Sequence, residues 1–386
     1  MTPSEVEYHP TAAAVRASLL PLRAAAQRLA LQPSSKLDGC LSFLAELLEQ
    51  NSAALLEANA QDLARMDAKN PKYDRLLLNP SRIAAIATDL RRVAELPSPL
   101  GLTQEERLLR NGLSLQRLSV PLGVVGVVFE SRPNVTFDVF ALCLKAGNAV
   151  VLKGSRDAEA SNLMAFTLIE QALAKFGLMG CCCLLPADRA ALTPLLTANG
   201  LVDVIIPRGS QGLIDYVRQH ATVAVIETGA GICHLYLDEE LNPSWARAIL
   251  TNAKARRVSV CNALDCLLVH CAQLPQLPWL LEELAVVYRC KVFADPQAYA
   301  ALTGGYPQDL LYPAQAEHFG IEFLSMQLAV KTVIDLDAAL QHIASHGSQH
   351  SEAIVSENPK HQERFLAEVD AAAVYVNAST AFTDGG

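Results

Sequence analysis

Val124-Val125-Gly126-Val127-Val128-Phe129-Glu130-Ser131-Arg132-Pro133-Asn134-Val135-Thr136 decides the fold. Its first six residues are apolar and mostly β-branched without interruption, the pattern of a strand buried on both faces in a covered parallel sheet. A polar knot from Glu130 to Arg132 follows, and Pro133 then opens a helical segment. Open α/β sheets are wound from this unit of strand, turn and helix, and their ligands bind beyond the carboxyl ends of the strands. The knot is therefore a candidate site. Asn134 offers amide hydrogens to an oxyanion, and Arg132 offers a fork matched to phosphate or carboxylate. Ser131 and Asn134 are equally suited to capping the turn and helix.

The same texture repeats on both sides of this stretch. Further strands are expected at 149–153, 181–185, 202–206 and 222–227, with helices near 135–146, 158–176 and 211–220, which makes a doubly wound nucleotide-binding domain. Upstream, 11–96 reads as helical, with Leu41, Leu44, Leu47 and Leu48 in a stripe. Residues 104–119 alternate around Asn111-Gly112 and read as a projecting hairpin. A second α/β alternation runs from 243 to 377, and the join lies near 238–243, where acidic residues and Asn-Pro break the apolar run.

At 386 residues, 51% hydrophobic and 18% charged, the chain is long enough for two packed domains. A net charge of -9 gives no general attraction to nucleic acid or anionic lipid, so an anionic substrate must be held locally. No apolar run reaches membrane-spanning length and the start lacks a signal peptide's regions, which makes the cytoplasm the default location. Most of the ten cysteines lie in apolar runs and read as reduced core thiols. Cys181-Cys182-Cys183 lacks metal-ligand spacing, and no metal is expected. His342, His346 and His350 are spaced by four, but Gly347 interrupts the helix, so they read as a solvated helix end; His234 reads as a satisfied structural residue.

Cys261 follows the basic run Lys254-Ala255-Arg256-Arg257 and precedes an apolar strand, which places a thiol at the mouth of a lobe beside charges that favour thiolate and attract phosphate. A packed thiol beside a solvated basic turn is the plainer alternative. Pro207-Arg208-Gly209-Ser210-Gln211-Gly212 opens a helix after a strand, a context in which backbone amides receive pyrophosphate. Lys153-Gly154-Ser155-Arg156 ends another strand and offers cations to an adenosine ribose and its 2'-phosphate.

These motifs, with Val120-Pro121-Leu122-Gly123, Cys261-Asn262-Ala263-Leu264 and Tyr375-Val376-Asn377-Ala378-Ser379-Thr380, resemble the glutamate-5-semialdehyde dehydrogenases, or gamma-glutamyl phosphate reductases, a branch of the aldehyde dehydrogenase superfamily. The resemblance implies an aldehyde-dehydrogenase-like α/β fold and NADPH-dependent reduction of L-glutamyl 5-phosphate to the semialdehyde in proline biosynthesis. It implies Cys261 as nucleophile, Asn134 and the Cys261 amide at the oxyanion, and Ser131, Arg132, Arg257 and Asn262 toward the substrate. For the cofactor it implies Lys153 at the adenosine ribose, Arg156 at the 2'-phosphate, Gly209 and Ser210 at the pyrophosphate, and Glu322 near the nicotinamide ribose. It further implies a homo-oligomer, with glutamate 5-kinase as a partner.

The expected layout is a nucleotide-binding domain from 1–103 and 121–240, an oligomerisation arm from 104–120 and 378–386, and a catalytic domain from 241–377. Three departures stand out. Ala381 replaces the family's usual Arg, Met326-Gln327 follows Glu322 in place of a Pro-apolar pair, and the chain stops at Gly386 where relatives continue, which makes the arm's C-terminal part short. The alternatives are an oxidising aldehyde dehydrogenase with Glu227 activating water, and a non-catalytic oligomerising homologue.

Overall fold

The Val124–Phe129 run is the central strand of the first of two parallel sheets in the computed structural model, which describes residues 11–68, 70, 73–227 and 231–384. The chain forms two units, Met1–Thr228 and Gly229–Gly386.

In the first unit the strands are β1 (Thr103–Leu108), β2 (Ser114–Leu118), β3 (Val124–Phe129), β4 (Ala149–Lys153), β5 (Cys182–Leu184), β6 (Val204–Arg208) and β7 (Ala224–Val225). The sheet order is β5-β4-β3-β6-β7, with all pairs parallel. The chain winds outward from β3 to β5 and then returns to β6 on the other side of β3, so β3 and β6 flank the switch point at which such sheets bind ligands. All six residues of β3 are buried. The N-terminal helices Ala12–Leu29, Ser34–Gln50 and Pro80–Glu95 insert their leucine stripes into the same core.

Strands β1 and β2 form a separate antiparallel ribbon in which every residue is exposed. Its turn needs Gly112, whose φ of +85° is open to glycine and strained for other residues.

The second unit holds β8 (Cys233–Leu237), β9 (Leu264–His270), β10 (Lys291–Ala294), β11 (Leu311–Pro313), β12 (Gln327–Val333), β13 (Ser351–Val355) and β14 (Ala373–Val376). They form a parallel sheet in the order β11-β10-β12-β9-β8-β13-β14. The central strand β9 is buried throughout: Leu264, Leu267 and Val269 face one core, and Cys266 and Leu268 face the other. Alternation between two apolar layers explains its continuous hydrophobic sequence.

Two boundaries differ from those expected. The join at 238–243 falls too late, because β8 pairs with β9 and β13 in the second sheet. Those partners lie later in the sequence, and no local pattern announces them. Residues 378–386, expected in the arm, include the 3-10 helix Thr380–Asp384, and Ser379 and Thr380 are buried in the second unit. The Thr380 hydroxyl donates to the Asn262 carbonyl at 2.8 Å, which ties this segment to the second sheet's turn.

Candidate active site

Seven of the expected site residues gather at the carboxyl ends of β3, β4 and β6 in the first unit. Ser131 ends the β3 turn with φ +40°, an uncommon value for a residue with a side chain and one that the surroundings must enforce. Its amide donates to the Ser155 hydroxyl at 3.2 Å, and its own hydroxyl donates to Asp157 at 2.5 Å. Ser131 is therefore buried and tied to the scaffold. Arg132 is the N-cap of helix Pro133–Lys145, with Pro133 in its first turn, and Asn134 stands on that turn. The Asn134 amide donates to Asp138, four residues on, at 2.8 Å. Burial pushes the Asp138 carboxyl up to about 6 while the bond from Asn134 pulls it back.

At the end of β4, Lys153 is buried and its ammonium donates to the carbonyls of Gly154 at 2.9 Å and Ala187 at 3.0 Å. Burial lowers its pKa to about 8 against the pull of Asp188 and Glu159. Gly154 and Ala187 both line a cavity of about 200 Å³ with Leu184, Leu185 and Asn162. Arg156 is exposed and reaches Asp188 at 2.6 Å. At the end of β6, Gly209 and Ser210 lead into helix Gln211–His220, with Ser210 as N-cap. The site at this helix end is an anion site by geometry, and Glu130 fills it: its carboxylate accepts from the Ser210 amide at 3.0 Å and hydroxyl at 3.2 Å. A Cβ on Gly209 would lie 3.0 Å from that carboxylate.

The other four gather at the amino ends of strands in the second unit. Cys261 sits half-buried in the turn before β9. The turn is held from three sides. The Cys261 carbonyl accepts from the Cys233 thiol at 3.2 Å, the Asn262 carbonyl accepts from the Thr380 hydroxyl at 2.8 Å, and the Asn262 amide donates to the Ala381 carbonyl at 3.2 Å. A Cβ on Gly231 would lie 1.8 Å from the Cys261 carbonyl oxygen, so only glycine allows this approach. Arg256 and Arg257 are exposed in the preceding segment. Lys254 is fully buried and turned away from solvent, donating to the Leu264 carbonyl at 2.8 Å and pairing with Asp265 at 3.6 Å. Glu322 is half-buried in the segment before β12; burial pushes the nearby Asp265 carboxyl up to about 7, and the charge of Glu322 adds to that.

The cysteines differ by position. Seven of the ten are buried, and burial pushes Cys40, Cys143, Cys181 and Cys290 up to about 12, which holds them as thiols. Cys183 is half-buried and also raised by burial. Cys271 is exposed but follows the carboxyl end of β9, the opposite end from Cys261. Cys261 is the accessible thiol at the sheet end that also carries Arg257 and Glu322.

Sequence reading missed Asp138 and Gly231, and it held Glu130 and Thr380 within its motifs without giving either a role. Asp138 was open to discovery, because Asn134 and Asp138 are four apart on one helix face. Gly231, Glu130 and Thr380 act on residues 30, 80 and 118 positions away, which no local pattern encodes. Glu227, the candidate water activator, is exposed and lies 3.8 Å from Arg218.

The family model described as "Aldehyde dehydrogenase family" matches residues 13–276. The chain is 52% identical over 365 residues to a gamma-glutamyl phosphate reductase of Bacteroides fragilis, covering 94% of this chain and 88% of that one. It is 51% identical to the Chlorobium limicola protein of that name, covering 96% and 89%. The solved gamma-glutamyl phosphate reductase of Thermotoga maritima superposes with a TM-score of 0.90 at 33% identity, covering 96% of this chain and 90% of that one. The chain belongs to the aldehyde dehydrogenase family, in its gamma-glutamyl phosphate reductase branch. The family takes a nicotinamide cofactor. Among the described residues no helix is long and apolar enough to cross a membrane.

Proposed function

We propose that the chain reduces L-glutamyl 5-phosphate to L-glutamate 5-semialdehyde and inorganic phosphate, with NADPH as reductant, in proline biosynthesis. The observation that carries this reading is Cys261, an accessible thiol in a turn fixed through two backbone carbonyls and the Asn262 side chain, in a chain 52% identical to a gamma-glutamyl phosphate reductase.

The Cys261 thiolate attacks the acyl carbon, the bond from that carbon to the phosphate oxygen breaks, and phosphate leaves with the electron pair to give a thioester. The Cys261 amide is assigned to the oxyanion, and the Asn134 side chain carries the same assignment from the resemblance. A reduced nicotinamide supplies the hydride that makes the acyl group an aldehyde. Cys261 then regains its thiolate as the carbon–sulfur bond breaks. Ser131, Arg132, Arg257 and Asn262 are assigned to the substrate side, with Asn262 and Ser131 acting through the turns they brace.

The chain's own geometry suits the cofactor. Lys153 and the cavity beside it suit an adenosine ribose, and Arg156 suits the 2'-phosphate that distinguishes NADPH. Asp157, the carboxylate best placed to favour a free 2'-hydroxyl, accepts the Ser131 hydroxyl instead. Gly209 and Ser210 suit the pyrophosphate, and Glu322 the nicotinamide ribose. The setting is cytoplasmic, with glutamate 5-kinase supplying the reactive acyl phosphate.

The exposed ribbon β1–β2 supports a homo-oligomer: Leu108, Leu113, Leu115 and Leu118 are all exposed on it, and a lone two-stranded ribbon is marginal in water. Replacing Leu108 and Leu115 by Ser should lower the assembly mass in solution; an unchanged mass contradicts this assignment.

The function is tested in the reverse direction, by NADP⁺ reduction with the semialdehyde. Turnover should require phosphate, which must release the thioester, and should survive Glu227→Gln within a few-fold, far short of the ~100-fold loss typical of a removed general base. Steady turnover without phosphate that collapses in Glu227→Gln would establish a water-using oxidation instead.

A further inference from the structure

We propose that His234, Cys266 and His342 form a binding site for a single divalent cation of the zinc class, separate from the Cys261 turn. Among the described residues they are a group whose ligand atoms all lie within 4.8 Å of one another. The Cys266 sulfur and the His342 Nε2 are 3.7 Å apart. Two ligands on one tetrahedral zinc are separated by about 3.3–3.6 Å, so side-chain adjustments of about 1 Å complete the set.

His234 provides the independent observation. It is fully buried on β8, its Nδ1 lies 3.0 Å from the Glu352 carboxylate, and its Nε2 has no hydrogen-bond partner. Leaving such an atom unpaired costs free energy, so it calls for a partner. The carboxylate holds Nδ1 as a donor, which leaves Nε2 as the atom that meets a metal, and any proton there leaves on binding. A carboxylate behind a histidine is the usual support of a metal-bound imidazole. Charge also balances, because a dication with the Cys266 thiolate and the Glu352 carboxylate is neutral overall. The Cys266 proton leaves on binding. Lys331 pairs with Asp295 at 3.3 Å.

Strands and helix bring the ligands from distant parts of the chain. His234 and Cys266 are neighbours in the β8–β9 ladder and face the same core. His342 stands on the last turns of helix Leu336–His346, half-buried and stacked on His346 at 4.3 Å, so it opens the site toward solvent. Three protein ligands leave a fourth position for water. The soft thiolate with two imidazoles selects zinc-class ions over magnesium or calcium. Bound metal would clamp the helix to the sheet, and the sequence reading that took His342 as part of a solvated helix end and His234 as satisfied missed this convergence.

Titration of the full chain with Co²⁺ after chelator treatment tests the site. The expected result is one Co²⁺ per chain with a thiolate-to-cobalt absorption band and tetrahedral visible bands, retained in Cys261→Ser and lost in Cys266→Ala. His342→Ala, at a half-buried position, should weaken binding by about 100-fold, and Glu352→Gln, which keeps the side chain's shape, by about 10-fold. Zn²⁺ should raise the thermal midpoint of the wild type and leave that of His342→Ala unmoved. Absence of the thiolate band, its loss in Cys261→Ser, or unchanged affinity in His342→Ala overturns the proposal.

Discussion

Asn134 donates its side-chain amide to the Asp138 carboxylate at 2.8 Å, one helical turn further on. On the role proposed for Asn134 at the oxyanion, Asp138 is its positioning residue, because the bond uses one amide hydrogen and aims the other. Asp138→Ala should lower kcat roughly 10-fold or more, the scale of a misplaced catalytic group, with little change in cofactor KM.

Burial raises Asp138 from its ordinary 3.8 to about 6. Because the folded value lies above the unfolded one, its contribution to stability is full below pH 3.8 and declines as pH rises through 6. Turnover runs the other way, since the ionised carboxylate holds Asn134 more strongly. An acid limb near pH 6 should therefore appear in kcat of the wild type and vanish in Asp138→Ala. Identical pH profiles for the two proteins contradict the positioning role.

Glu130 holds the Ser210 amide that is proposed for the pyrophosphate. Glu130→Gln removes the charge but keeps the shape, so NADPH should bind about 3- to 10-fold more tightly, consistent with one charge-assisted hydrogen bond no longer opposing it. Weaker binding in this variant would make Glu130 a support of the loop instead. Fluorescence titration with NADPH measures it.

The first sheet was legible because its signals are local. Continuous apolar runs fixed β3 and β4 to the residue, and Asn111-Gly112 fixed the ribbon turn. The motifs likewise put Ser131, Asn134, Lys153, Gly209 and Ser210 at the strand ends where they stand. What stayed hidden is the pairing of distant groups: β8 lies in a sheet whose partners follow it, and Glu130 caps a helix begun 80 residues later. Burial decided the remaining differences. Lys254 read as a surface cation because it adjoins Arg256 and Arg257, yet helix Pro243–Ala255 turns it inward to Asp265.

Lys153 and Arg156 are the cations proposed for the cofactor. Lys153 loses its charge as pH rises through about 8, because burial lowers its pKa, so the KM for NADPH should climb above pH 8 and that climb should be absent in Lys153→Gln. In stability the sign is opposite: the folded value lies below the usual 10.5, so the folded chain gains stability as pH rises from 8 to 10.5. Arg156→Ala should cost about 5- to 10-fold in kcat/KM with NADPH and little with NADH, as befits an exposed contact to one phosphate. Equal losses with the two cofactors would remove Arg156 from the 2'-phosphate.

The central claim, that Cys261 carries the acyl group, is tested most directly without any cofactor. Mixing the chain with L-glutamyl 5-phosphate and quenching in acid should release one phosphate per active site and leave one glutamyl adduct, which peptide mass spectrometry locates on Cys261. Cys261→Ser should give neither, because a serine hydroxyl is not ionised near pH 7, while Cys271→Ser should give both in full. An adduct on any other residue, or a full phosphate burst from Cys261→Ser, would contradict the account.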